Sequence, residues 1–213
     1  MRAPRKRKTP TGEGYLEGQL LVAMPLMTDK RFAKSVIYML AHSHEGAMGL
    51  IINQQAPNLN FRELMKQLKI SVAKDDEVLP EANQIRVHLG GPVDTQRGFV
   101  LHSPDYCSQD STLSIDKSMS LTATVDILKA MAGGRGPARA ILALGYAGWS
   151  AGQLETEIHA NGWLHCPADP ELVFHPNLDS KYERALSRIG IDPSHLVSAV
   201  SYTHLTLPTS DLV

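Results

Sequence analysis

Hydrophobic residues crowd into short, nearly unbroken runs along the first part of the chain. Gln19 to Met24 (Q-L-L-V-A-M) is apolar after its first residue and stops at Pro25, which lacks the N–H that a ladder needs. It predicts a buried strand. Met27, Thr28 and Asp29 then make a turn. Lys34 to Ala41, rich in β-branched and aromatic side chains, predicts a second strand, and Ala47 to Asn53 a third. The polar link His42-Ser43-His44-Glu45-Gly46 is short and ends in glycine, so the two strands form a hairpin. Neither run alternates apolar with polar, which means cover on both faces.

From Asn60 the period lengthens. Phe61, Leu64, Met65 and Leu68 recur at i, i+3, i+4 and i+7, and Asn60 with Glu63 has the spacing of a capping box, so a helix starts there. Lys74 to Asp76 reads as a solvated loop. Ile85 to Leu89 and Gly98 to His102 predict strands around the turn Gly90-Gly91-Pro92. Thr122 is expected to cap a helix through Met131, ended by Gly133, Gly134, Gly136 and Pro137. Ala140 to Tyr146 predicts a central strand. Ser150 and Gln153 read as a second capping box for a helix through Ala160, with Leu154 and Ile158 on its buried stripe, and Gly162 to Cys166 as a last strand. Tyr182, Ala185, Leu186 and Ile189 share one helix face, and Gly190 sits at C′. Hairpins mixed with helix-linked crossovers make the class α/β (mixed α+β), a mixed sheet under helical cover, in one domain over residues 14–198.

Composition adds limits. With 213 residues, 43% hydrophobic and 20% charged, the chain is globular in character. Its longest apolar run, Val36 to Ala41 with Tyr38 inside it, is far short of the ~20 residues of a membrane helix, so no membrane partner is expected. The net charge of -1 hides a basic leader: Arg2, Arg5, Lys6, Arg7 and Lys8 precede an acidic body. Such a body is a poor phosphate-neutralising surface, which argues against duplex nucleic acid as a partner. Residues 1–13 read as a solvated tail rather than a secretory signal, because Thr9 to Gly14 are not an apolar core. Cys107 and Cys166 stand far apart, outside any C-x-x-C pair, as in a reducing cytoplasm.

Candidate chemistry is sparse. His42 and His44, spaced i, i+2, with His88, His102, His159, His165 and Cys166 could supply metal ligands, but no spacing matches a zinc signature, and no metal or cofactor is expected. Gly148-Trp149-Ser150-Ala151-Gly152 reads formally as G-x-S-x-G, with Asp179 and His195 following in triad order. The same serine fits a helix cap, and it serves that role better. Gly133-Gly134-Arg135-Gly136-Pro137 lacks the Lys-Ser or Lys-Thr of a P-loop. Gly90-Gly91-Pro92 allows a positive φ before a rigid bend, suited to a turn or a pocket rim. Trp149 and Trp163 bracket the capped helix, where Gln153 and Glu157 could join them in a polar groove.

Several blocks in order resemble the AlgH/YqgE family of bacterial proteins. They are Gly18 to Pro25 with Asp29 and Phe32, Ser35 to Tyr38 with His42, Glu45 to Asn53, Leu89 to Val93, Arg97 to His102, and Leu144 to Glu155. The resemblance runs from Tyr15 to Ser198; Lys30 stands where many relatives have proline. It implies an α/β fold around a bulged, partly barrel-like mixed sheet. It brings no accepted catalytic or metal-binding residues, because the family is biochemically uncharacterised, and some members carry the label of transcriptional regulator. Ala199 to Val213 falls outside the resemblance and reads like translated sequencing-adapter sequence, so it is expected to be non-native and to pack against nothing.

The expectation is therefore a cytoplasmic, non-enzymatic regulatory or binding protein, with a small molecule or another protein as partner. Its pocket would gather His42, His44, Glu45, Gly90, Gly91, Pro92, His102, Trp149 and Gln153, since loops on a rigid scaffold carry binding. The alternatives are a hydrolase using Ser150 or a histidine-bound metal, and a DNA-binding regulator, for which the Phe61 helix offers only Arg62 and Lys66.

Overall fold

The computed structural model describes residues 14–70, 85–108 and 111–191. The basic leader, the Lys74 to Asp76 loop, His195 and the terminal segment lie outside the described residues. Within the described residues ten strands run in the order β1 Gln19–Ala23, β2 Val36–Ser43, β3 Gly46–Ile51, β4 Gln55–Asn60, β5 Arg86–Leu89, β6 Val93–His102, β7 Thr112–Ser114, β8 Ser120–Thr122, β9 Ala140–Ser150 and β10 Trp163–Pro167. Among the described residues five helices accompany them: α1 Phe61–Gln67, α2 Val125–Ala132, α3 Gln153–His159, α4 Pro170–Val173 and α5 Asp179–Arg188.

The result is a curled, mainly antiparallel sheet, a half-barrel in a mixed α/β domain, ordered β10-β1-β2-β3-β9-β6-β8-β7. Strand β9 is its spine. Along one side β6 accompanies Ala140 to Tyr146. Along the other, β5 runs parallel to Leu142–Leu144, and β3 takes over antiparallel at Ala147–Ser150. The changeover falls at Gly145, whose φ is +70°.

Cover on both faces follows from the period of two within each strand. Leu20, Val22, Val36, Tyr38 and Leu50 point toward Tyr182, Ala185 and Leu186 of α5 in the largest core cluster. Their neighbours Leu21, Ala23, Ile37 and Ile51 pack on the opposite side with Leu154 of α3, Trp149 and Trp163. A third cluster joins Phe61, Leu64 and Met65 of α1 to Ile127, Leu128 and Met131 of α2. The capping box at α1 forms as its spacing demands: Glu63 N–H donates to Asn60 Oδ1 (2.9 Å), and Asn60 N–H to Glu63 Oε2 (3.1 Å).

Two capping expectations are corrected. Thr122 lies in β8 and α2 starts three residues later behind Thr124, because Thr122 Oγ1 is taken by His102 and Thr112. Ser150 is the last residue of β9, and α3 is entered through Gly152 at φ +73°. The Ser150–Gln153 bond exists, but in reverse: the Ser150 backbone N–H donates to Gln153 Oε1 (3.0 Å). The short β4, β7, β8 and α4 go beyond the sequence expectation, since the three strands are largely polar and carry no apolar run.

Candidate functional site

The hairpin turn and the end of β9 do meet, with Ala47 opposite Trp149 and Gly46 opposite Ser150. They floor an open cleft of about 420 Å³, where Glu45, Gly46, Val93, Tyr146, Trp149 and Ser150 are among the lining residues. Most other residues expected there have different duties. His44 and Pro92 are exposed, while Gly90 and Gly91 are consumed by backbone packing. A Cβ on Gly91, at φ +152°, would lie 2.1 Å from the Tyr146 carbonyl carbon. Gly90 N–H donates to Leu144 O (2.7 Å), and its carbonyl accepts from Ile51 N–H (2.9 Å). His102 sits at the far end of β6 from Val93, fully buried, donating from Nδ1 to Ser103 O (2.8 Å) and accepting at Nε2 from Thr122 (2.9 Å).

Gln153 belongs to a closed clamp. Glu157 Oε2 accepts from both indoles, Trp149 Nε1 at 2.9 Å and Trp163 Nε1 at 2.8 Å, while Oε1 accepts from Gln153 Nε2 at 2.9 Å. The two indoles meet edge to face, 5.8 Å between centroids. The polar groove expected of these residues is thus a set of mutually satisfied partners. His42, 4% exposed, closes in the same way. Leu16 N–H donates to its Nδ1 (3.0 Å), so the ring proton must be on Nε2, where it is donated to Glu155 Oε1 (2.9 Å). Ser150 is exposed, and no hydrogen bond links it to a histidine among the described residues. Nor do three His, Cys, Asp or Glu side chains gather at metal-ligand spacing among the described residues.

A larger cavity, about 810 Å³, lies elsewhere among the described residues, between the β4–β5 pair, the loop after α2 and the α4–α5 connection. Its basic groups are Arg86 and His88 of β5, Lys181 of α5 and His175 of the α4–α5 connection. Lys181 is 1% exposed, and its ammonium donates to Ile52 O (2.9 Å) and Val173 O (2.6 Å), which leaves one N–H unspent. Burial, helped by nearby Arg86, pulls its pKa down to about 8. His88 is 5% exposed; Nδ1 lies 3.2 Å from Leu142 O, which can only accept, so Nδ1 carries the proton. Nε2 is left with a bare lone pair and no partner among the described residues. Burial and the Lys181 charge push its pKa down to about 4, so the ring is neutral. Arg86 Nη1 donates to Pro176 O (2.5 Å) and reaches a neighbouring depression that also holds Asp179. Leu59, Ile85, Met131 and Phe174 supply apolar wall.

In the sequence His88 stands out only as a possible metal ligand, and Arg86 and Lys181 carry no motif. The signal for Lys181 was there: it precedes Ala185 by four residues, which puts a lysine on the apolar stripe of α5.

A family model described as AlgH-like matches residues 20–194. The chain belongs to the AlgH-like family. Among AlgH-like relatives, a UPF0301 protein of Rhodopseudomonas palustris (strain BisB18) is 57% identical over 201 residues, covering 92% of this chain and 94% of that one. Another, from Nitrobacter hamburgensis, is 60% identical over 185 residues and covers 86% of each chain. The solution structure of the AlgH protein from Pseudomonas aeruginosa superposes with a TM-score of 0.70 at 42% identity, over 91% of this chain and 97% of that one. A crystal structure of a Corynebacterium diphtheriae protein shares the fold at 20% identity, with a TM-score of 0.62 over 94% and 95% of the two chains. What AlgH-like membership brings is the fold. Among the described residues, no helix is long and apolar enough to cross a membrane.

Proposed function

We propose that this protein is a non-enzymatic binding protein of the cytoplasm, and that its ligand is a small molecule held in the cavity at Arg86, His88 and Lys181. One observation carries the reading. The cavity of about 810 Å³ is walled by apolar side chains and entered by two deeply buried polar groups, Lys181 and His88, that each keep an unspent hydrogen-bonding position. Buried polar groups are normally satisfied, and ligand pockets combine apolar walls with a few convergent polar atoms. Cys107 and Cys166, both free, suit a reducing compartment.

The test is amide chemical-shift mapping of the full chain against a fragment library of mixed charge. The expected result is a cluster of perturbed residues within 86–88, 131–141 and 174–181, with the bound compounds recovered chemically unchanged. Perturbations confined to the Glu45–Trp149 cleft, or conversion of a bound compound, would overturn the reading.

A further inference from the structure

The cavity also specifies the kind of ligand it takes, an inference that rests on the reading just given. Among the described residues that line it are Arg86 and Lys181 and no aspartate or glutamate. Lys181 is held by two carbonyls, Ile52 O and Val173 O, rather than by a carboxylate. Carbonyl dipoles solvate an ammonium without cancelling its charge, so this buried cation has no counter-ion among the described residues. An anion entering here would complete an ion pair whose cationic half has already been taken out of water. It would meet the unspent N–H of Lys181 and the guanidinium of Arg86. The acid Asp179 lines the neighbouring depression that Arg86 also reaches, and it does not line the cavity itself.

His88 adds a second requirement of opposite polarity. Its Nδ1 proton is fixed by Leu142 O, so Nε2 can only accept. The occupant must bring an O–H or N–H to that point, since a buried acceptor without a donor is costly. Apolar wall from Leu59, Ile85, Met131 and Phe174 covers what lies between.

We infer that the site recognises a small organic anion with an apolar body: its carboxylate or phosphate is held by Lys181 and Arg86, and a separate hydroxyl or N–H is donated to His88 Nε2. The shared chemistry of carboxylates and phosphates places no demand on which of the two the native ligand carries.

Matched probes test this on the unaltered protein. The compounds 4-hydroxyphenylacetate, 4-hydroxyphenylacetamide, tyramine and phenylacetate hold the ring constant while changing the arm from anion to neutral to cation, and then removing the hydroxyl. Calorimetry should rank 4-hydroxyphenylacetate first. The amide should be weaker by about 10-fold, tyramine by more, and phenylacetate by about 5-fold. The His88 Nε2 nitrogen resonance should move with the three phenols and stay still with phenylacetate. 4-Hydroxyphenyl phosphate in place of the acetate reads the preference between the two anions. If the amide or tyramine maps to the same cavity and binds as well as the acetate, the anion inference is overturned while the binding reading stands. Should phenylacetate match its hydroxylated partner, the role of His88 falls. Should no member of a charge-balanced library perturb the cavity, the binding reading falls with both. Arg86→Gln, at an exposed position, offers a variant that keeps the fold and should weaken the acetate about 5-fold without changing the amide.

Discussion

Two regions of this half-barrel bring polar side chains against its strands, and they do so to opposite ends. In the clamp of α3, Glu157 satisfies both indoles and Gln153. In the cavity beside α5, Lys181 and His88 are set deeper than Glu157 or Gln153, yet Lys181 keeps an N–H beyond its two carbonyls and His88 Nε2 has no partner among the described residues. The difference is one of completeness. A network whose donors and acceptors match one another rigidifies a fold, whereas a buried group with spare capacity specifies something that must come from outside. The sequence directs attention to the clamp, because tryptophans and a G-x-S-x-G string are conspicuous. The geometry directs it to a lysine and a histidine that look ordinary.

The sharpest way to break the contrast is Glu157→Ala. It leaves two buried indole N–H groups without an acceptor and should cost about 4 kcal/mol in urea unfolding. Glu157→Gln, which retains an acceptor, should cost about 1 kcal/mol. A loss below about 1 kcal/mol for the alanine variant would show that the clamp is not structural.

Next in size is a pH effect from the cavity. The unfolded His88 ring takes a proton near its ordinary 6.5, and the folded ring refuses it until about 4. Between those values the unfolded chain binds more protons, so stability present above 6.5 is lost as pH falls through 4, by about 3 kcal/mol. Burial shifts His102 in the same direction, so the measurement is the difference between wild type and His88→Phe at pH 7 and pH 4. Identical acid slopes would remove His88 from the account.

Lys181→Met should show the other half of the contrast. Affinity for 4-hydroxyphenylacetate should fall at least ~10-fold, about 1.4 kcal/mol, while stability at pH 7 changes by no more than about 1 kcal/mol. Wild-type stability should also rise between pH 8 and 10.5, because folded Lys181 releases its proton near 8 and the unfolded side chain holds it to 10.5. The methionine variant should lack that rise. The smallest expected effect is Ser150→Ala, within about 0.5 kcal/mol, since the serine is exposed and its backbone N–H, not its hydroxyl, makes the local bond.

What could be read from the sequence was what depends on near neighbours. The Asn60–Glu63 box, the β2–β3 hairpin and the α5 stripe are set within a few residues of each other, and all three form. Thr122 and Ser150 misled because a short polar side chain fits a cap or a strand end equally well until its distant partner is known. For Thr122 that partner is His102, twenty residues away. The cavity was the least legible feature. Arg86, His88 and Lys181 come from two elements nearly a hundred residues apart, and only the curl of the sheet brings them together.

The pairing of β1 with β10, the first and last of these strands along the chain, has a consequence for synthesis. Strand β1 emerges early, with an almost wholly apolar sequence, yet Gln19 is opposite Pro167 and Ala23 opposite Trp163. At the ribosome's pace of ~5–20 residues per second, one edge of β1 waits on the order of 10 s for its partner. Strand β2 can shield the other edge soon after it appears, but the open one is a template for any passing strand. The nascent chain is therefore most exposed to mispairing in the interval before β10 leaves the exit tunnel, and a stall in translation within that interval should be more damaging than one after it.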